Sequence, residues 1–210
     1  IFGNHLWLIR LPTIIAGILM VPAAYVLGRR VYSREAGLIG AALVAVFPIL
    51  VEYSVLARGY AFVNLFTLMI LIWGDQVREN KNRLVWVLLV ITNALGFFTI
   101  PIMMFPFGAL YVWLFLSCIV GDIGGYRSKL DFIKYWLVSG FVSAFITVFL
   151  YLPILIKDSA NFFGKSFVAP LKRNVFPVIL LSRVELTWAD WVGTIPSWLV
   201  VLGMTGFVMG

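Results

Sequence analysis

Between Leu84 and Val120 the chain runs for 37 residues without a charged side chain, and the 37 residues from Gly37 to Trp73 carry only two, Glu52 and Arg58. About 18 to 20 uncharged residues already suffice for a membrane-spanning helix. A single helix over either run would be about 55 Å long against a hydrocarbon core of about 30 Å, so each run must fold back as two spans. Polar residues and Gly59 place the first turn around Tyr53–Tyr60. Gly96, Pro101 and Pro106 interrupt the helical pattern of the second run and place its turn within Gly96–Pro106.

Composition leads the same way. Only 12% of residues are charged and 62% are hydrophobic, against about a quarter charged in soluble domains. The expected fold is therefore all-α, a polytopic integral membrane helical bundle. Six complete transmembrane helices are expected near residues 10–28, 37–56, 60–77, 84–100, 103–120 and 135–156, with the start of a seventh near 197. Residues 1–210 read as a single transmembrane domain with a long loop over 157–196. The chain opens on Ile1 and stops inside an apolar run begun near Trp198, so a fragment of a longer membrane protein is expected.

The formal net charge of +7 would suggest nucleic acid in a soluble domain. Here it distributes into membrane loops instead. Arg29, Arg30, Arg34, Arg78, Lys81, Arg83, Arg127, Lys129 and Lys134 all fall in alternate connections, on one side of the bundle. The short connections opposite hold Arg58, and Arg10 lies at the N-terminal entry. By the positive-inside rule the nine-residue side is cytoplasmic, facing anionic lipid headgroups, and Arg58 lies on the outer, periplasmic or lumenal face.

The long loop adds Lys157, Lys165, Lys172, Arg173 and Arg183 to that outer face, with phenylalanines between them. Its segment 178–188, VILLSRVELTW, reads as an amphipathic interfacial helix, and Trp188, Trp191 and Trp198 fit an aromatic belt. Gly37, Ala41 and Ala45 recur every four residues, a spacing that lets a neighbouring helix approach closely.

Several chemistries are set aside. One histidine, His5, and one cysteine, Cys118, make neither a metal set nor an intrachain disulfide. The stretch 121–129, GDIGGYRSK, lacks the spacing of a P-loop and reads as a turn. What remains is 52–62, EYSVLARGYAF. An ionised side chain at the bilayer centre costs about 2.5–3.5 kcal/mol even on the lenient insertion scale, and a turn near the interface avoids most of that. Two readings are open. In one, Arg58 snorkels and Tyr53 and Tyr60 anchor the turn. In the other, Arg58 presents its planar donor fork to a phosphate, with the tyrosines beside it.

Three blocks in order carry a resemblance. LWLIRLPTIIAG (6–17) contains Arg10, Leu11, Pro12 and Gly17; GRRVYSREAGLIGAALVAVFP (28–48) contains Arg29, Arg30, Arg34, Ala36, Gly37 and Leu38; YSVLARGYAF (53–62) contains Tyr53, Ser54, Ala57, Arg58 and Tyr60. Together they resemble the membrane domain of GT-C-type glycosyltransferases, in the protein-mannosyltransferase and aminoarabinose-transferase-like group. Leu56 and Gly59 stand where that group commonly has Glu and Pro, and Phe98-Thr99-Ile100-Pro101 stands where a Thr-His pair often ends the fourth span.

The resemblance implies an enzyme moving a sugar from a polyprenyl-phosphate-linked donor to a protein, lipid or glycan acceptor on the outer face. It implies that the catalytic acidic residue lies upstream of Ile1, so no catalytic residue is expected within the chain. Donor binding falls to Arg58 and Tyr60, with Tyr53 and Glu52 beside them and Lys172, Arg173 and Lys165 from the long loop. The site would lie in the cell membrane of a prokaryote or the endoplasmic reticulum of a eukaryote. No cofactor is named, and a divalent cation is left open. A transporter or flippase, or a non-catalytic lipid-binding membrane subunit, is the alternative; Asn64 and Asn93 are the deepest polar candidates for it.

Overall fold

Proline and the residue before it set two of the breaks between helices. The computed structural model describes residues 6–162, 179, 181–186 and 189. Within them α1 spans Leu6–Val31, α2 Arg34–Val46, α3 Pro48–Val55, α4 Tyr60–Glu79, α5 Arg83–Thr99, α6 Met104–Val120 and α7 Lys129–Phe162, with a 3-10 turn over Pro101–Met103. No strand occurs among the described residues. Residues 179 and 181–186, inside the expected interfacial segment, are helical, as is residue 189 just past it.

The expected span 37–56 is bent by 57° between α2 and α3. A residue preceding proline is pushed out of the α region, and Phe47 accordingly sits at φ −70, ψ 115 ahead of Pro48. Ile100, before Pro101, is extended in the same way and ends α5. This places the second turn at Ile100–Met103, while Gly96 stays helical. Pro12, Pro22 and Pro153 leave their helices unbroken.

Among the described residues four helices are long and apolar enough to cross a membrane, or five if the bent pair forms one span. The expected span 84–100 is matched by α5, whose 17 residues are about 25 Å long, at the short end of the range for a spanning helix. At the other extreme α7 runs 34 residues and begins six residues before the expected boundary, because an α-helix need not stop where charge begins.

Glycines set the closest helix approaches. A Cβ on Gly28 would lie 2.8 Å from the Gly37 Cα, and one on Gly37 would lie 2.7 Å from the Tyr25 carbonyl oxygen. Of the three small residues at four-residue spacing, only Gly37 is buried. A Cβ on Gly17 would lie 2.1 Å from the Ser54 Oγ. All three sequence blocks thus meet along α1. A second core joins α4 to α7 around Leu89, Leu110, Leu114 and Phe132, all fully buried.

The basic end of the bundle is tied by ion pairs. Asp75, 5% exposed at its side chain, accepts from Arg30 Nε at 3.0 Å and Arg78 at 3.0 Å. Arg30 also reaches Glu79 at 2.8 Å, Arg78 pairs with Asp122, and Lys81 meets Asp131 at 2.5 Å. The connection 121–128 folds onto the α4–α5 corner as a turn. Tyr126 donates to the Val77 carbonyl at 2.6 Å and accepts from Trp86 Nε1 at 3.0 Å. Burial pushes its phenol up to about 12, so it remains a donor through the neutral range. Gly124 lies so close that a Cβ would stand 2.1 Å from the Glu79 carbonyl oxygen. Backbone cannot give way there as a flexible side chain can. Gly124→Ala is expected to cost about 1–3 kcal/mol, read as a lower melting temperature in detergent; an unchanged melt would refute this close packing.

The chain divides into two compact units, 1–157 and 158–210, and every contact described here lies within one of them.

Candidate functional site

At the end of the bundle opposite the ion pairs, the α3–α4 connection lies against the α5–α6 break. After α3 the Leu56 N–H donates to the Glu52 carbonyl at 3.0 Å and the Arg58 N–H to the Leu56 carbonyl at 2.7 Å. The second bond closes a three-residue turn at Ala57 and projects Arg58 beyond the helix ends. Gly59 lets this turn approach, since a Cβ there would meet Thr99 Cγ2 at 2.6 Å and Ile100 Cγ1 at 2.9 Å. Tyr53 and Tyr60 stack across the turn with ring centroids 5.1 Å apart.

The result is a cleft of about 540 Å³. Pro12 and Thr13 from the first block line it, facing Ala57, Arg58 and Gly59 from the third. Phe62, Phe66, Leu95 and Phe98 supply apolar walls, and Thr99 adds a hydroxyl. Among the described residues, Arg58 is the only ionisable side chain lining it. Its guanidinium makes no ion pair or hydrogen bond among the described residues. The Thr13 and Thr99 hydroxyls donate to the Arg10 and Leu95 carbonyls at 2.8 Å each, which leaves their oxygens able to accept.

An exposed guanidinium at the mouth of an apolar cleft binds an anion more strongly than the same group in open water, because the effective dielectric falls. Its planar fork suits the two oxygens of a phosphate.

The expected site residues separate. Arg58 lines the cleft; Tyr60 and Tyr53 brace the turn beneath it, and Glu52 lies exposed on α3. Lys165, Lys172 and Arg173 lie outside the described residues. Thr13, Phe62, Phe66 and Leu95 went unrecognised in the sequence; the four-residue spacing of Phe62 and Phe66 on one helix face was the available signal. Asp75 was also overlooked, a buried carboxylate inside an expected span, which is by itself a reason to look for a partner.

Comparison with known proteins gives one finding. A family model described as dolichyl-phosphate-mannose-protein mannosyltransferase matches residues 1–151. No curated protein and no solved structure matches.

Proposed function

Since this chain belongs to the dolichyl-phosphate-mannose-protein mannosyltransferase family, we propose that its membrane glycosyltransferase chemistry takes place at the Arg58 cleft. The donor is a sugar on a polyprenyl phosphate, and Arg58 holds that phosphate. The carrying observation is that Arg58, alone among the described ionisable residues, lines a cleft built from two of the three sequence blocks.

In the transfer an acceptor hydroxyl attacks the anomeric carbon and gives up its proton to a carboxylate base of the full-length protein. The bond from that carbon to the phosphate oxygen breaks, and the phosphate leaves with the electron pair. Negative charge grows on the leaving group as this happens. A fixed cation in a water-poor cleft stabilises it more than it stabilises the intact diester, which lowers the barrier. Phe62, Phe66 and Phe98 exclude water from the phosphate, while Tyr53 and Tyr60 hold the turn that positions the guanidinium. Glu52 takes no direct part.

The cleft faces the outer side. Support comes from the nine basic residues of the alternate connections, which the positive-inside rule places in the cytoplasm. The test uses the full-length protein in sealed vesicles of both orientations, with radiolabelled polyprenyl-phosphate mannose in the bilayer. Label is expected on an externally added acceptor only when the vesicles are right side out. Transfer from a nucleotide sugar but not from the lipid-linked donor would overturn the proposal.

A further inference from the structure

A second, unrelated groove lies between α5 and α7. The two helices touch at both ends and part between them. At the basic end Trp86 stacks on Tyr135 with centroids 6.0 Å apart and meets Phe132 edge-on at 5.8 Å. At the other end Tyr151 donates to the Phe97 carbonyl at 3.0 Å and packs on Phe98 at 5.7 Å. Between these braces a groove of about 460 Å³ is lined by Val87, Val90, Ile91, Val138, Val142 and Ile146. It extends about 16 Å along α7 beyond Tyr135.

The groove is amphipathic along its length. Ser139, the polar residue on its wall, is satisfied by Tyr111 at 2.8 Å and by the Trp136 carbonyl at 2.9 Å. The deep part therefore offers only hydrocarbon. At the mouth stands Arg83, the first residue of α5. Its guanidinium has no ion pair or hydrogen bond among the described residues. Neighbouring Lys81, whose ammonium lies 5.2 Å from the Tyr135 ring centroid, is neutralised by Asp131 at 2.5 Å. A cation at a helix N-terminus opposes the helix dipole, so this position favours an anion on both counts.

We propose that this groove binds one anionic phospholipid, its phosphate on Arg83 and one acyl chain between α5 and α7. A transmembrane helix, about 10 Å across, does not enter a gap whose two ends are closed by ring contacts; a single hydrocarbon chain does. The phosphate end lies at the end of the bundle away from the Arg58 cleft, and its occupancy does not depend on transfer chemistry.

Native mass spectrometry of the full-length protein tests this, with phosphatidylglycerol and phosphatidylcholine offered in competition. One phosphatidylglycerol is expected to remain bound to the wild type. Arg83→Gln should weaken its retention about tenfold, the loss of one charge-assisted contact. Val138→Trp and Val142→Trp, on exposed positions that tolerate bulk, should displace it by filling the groove. Arg127→Gln, at the same end but off the groove, should leave retention unchanged. Retention by all three groove variants, or equal retention of phosphatidylcholine, would overturn the proposal. So would a disulfide trapped between Val138→Cys and a cysteine placed on another membrane helix of the full chain.

Discussion

Arg58→Ala in the full-length enzyme is expected to lower transfer from a lipid-linked donor by at least 100-fold while leaving the protein inserted and folded. The magnitude follows from removing one preorganised group aimed at developing negative charge, worth about 2.7–4 kcal/mol in comparable sites. Folding should be unaffected because the side chain is exposed and makes no ion pair or hydrogen bond among the described residues. Arg58→Lys keeps the charge without the planar fork and should fall between, about tenfold down. Transfer rates and a melting curve on the same preparations check this. Near-normal transfer by the alanine variant would leave Arg58 as an interfacial anchor.

Asp75→Asn is expected to act the opposite way, destabilising the fold by about 3 kcal/mol, at the lower end of the range for breaking a buried ion pair. The side chain is 5% exposed and lies between Arg30 and Arg78, themselves 28% and 21% exposed. Removing its charge leaves two guanidinium groups facing each other, with Glu79 and Asp122 as their remaining partners. Glu79 and Asp122 are about half exposed or more, so water screens their contribution. Thermal unfolding in detergent should show the loss, and Arg30→Gln in the Asp75→Asn background should cost less than Arg30→Gln alone. Additive losses would mean that the two residues do not interact. By contrast, Asp131→Asn at the more exposed Lys81 pair should cost much less, because water screens that pair.

These two variants separate what the bundle does at its ends. The ion pairs join the ends of α1 and α4, the connections after α4 and α6, and the start of α7, so that end is held by side chains distant in sequence. At the Arg58 end glycines let side chains pack against the backbone, Ser54 at Gly17 and Thr99 at Gly59. An arginine kept out of the ion network is free to meet a ligand. One arranged among carboxylates is committed to the fold.

Much of the helical layout was legible in the sequence because it follows from length and local chemistry. Two 37-residue runs had to fold back, and the breaks came at Leu56–Gly59 and Ile100–Met103, within the expected turns. The bend at Phe47 was missed although Pro48 encodes it; hydropathy is continuous across 37–56, and a hydropathy argument does not register a lost amide donor. The short α5, by contrast, fell within one residue of the expected span 84–100. The cleft was legible only as Arg58. Its walls come from three separate stretches, and nothing local in Thr13 or Leu95 says that they face a guanidinium. Asp75 belongs to the same class, because its partner Arg30 lies 45 residues away.

The family match covers residues 1–151 and thus includes every element that builds the cleft. The central claim is that the donor phosphate rests there. A polyprenyl-phosphate sugar carrying a photoreactive group next to the phosphate tests it most directly on the full-length protein. After irradiation and digestion, label is expected in peptides containing 57–66 or 95–99, and Arg58→Ala should reduce it. Label confined to 75–85 or 121–134, at the ion-paired end of the bundle, would contradict the account.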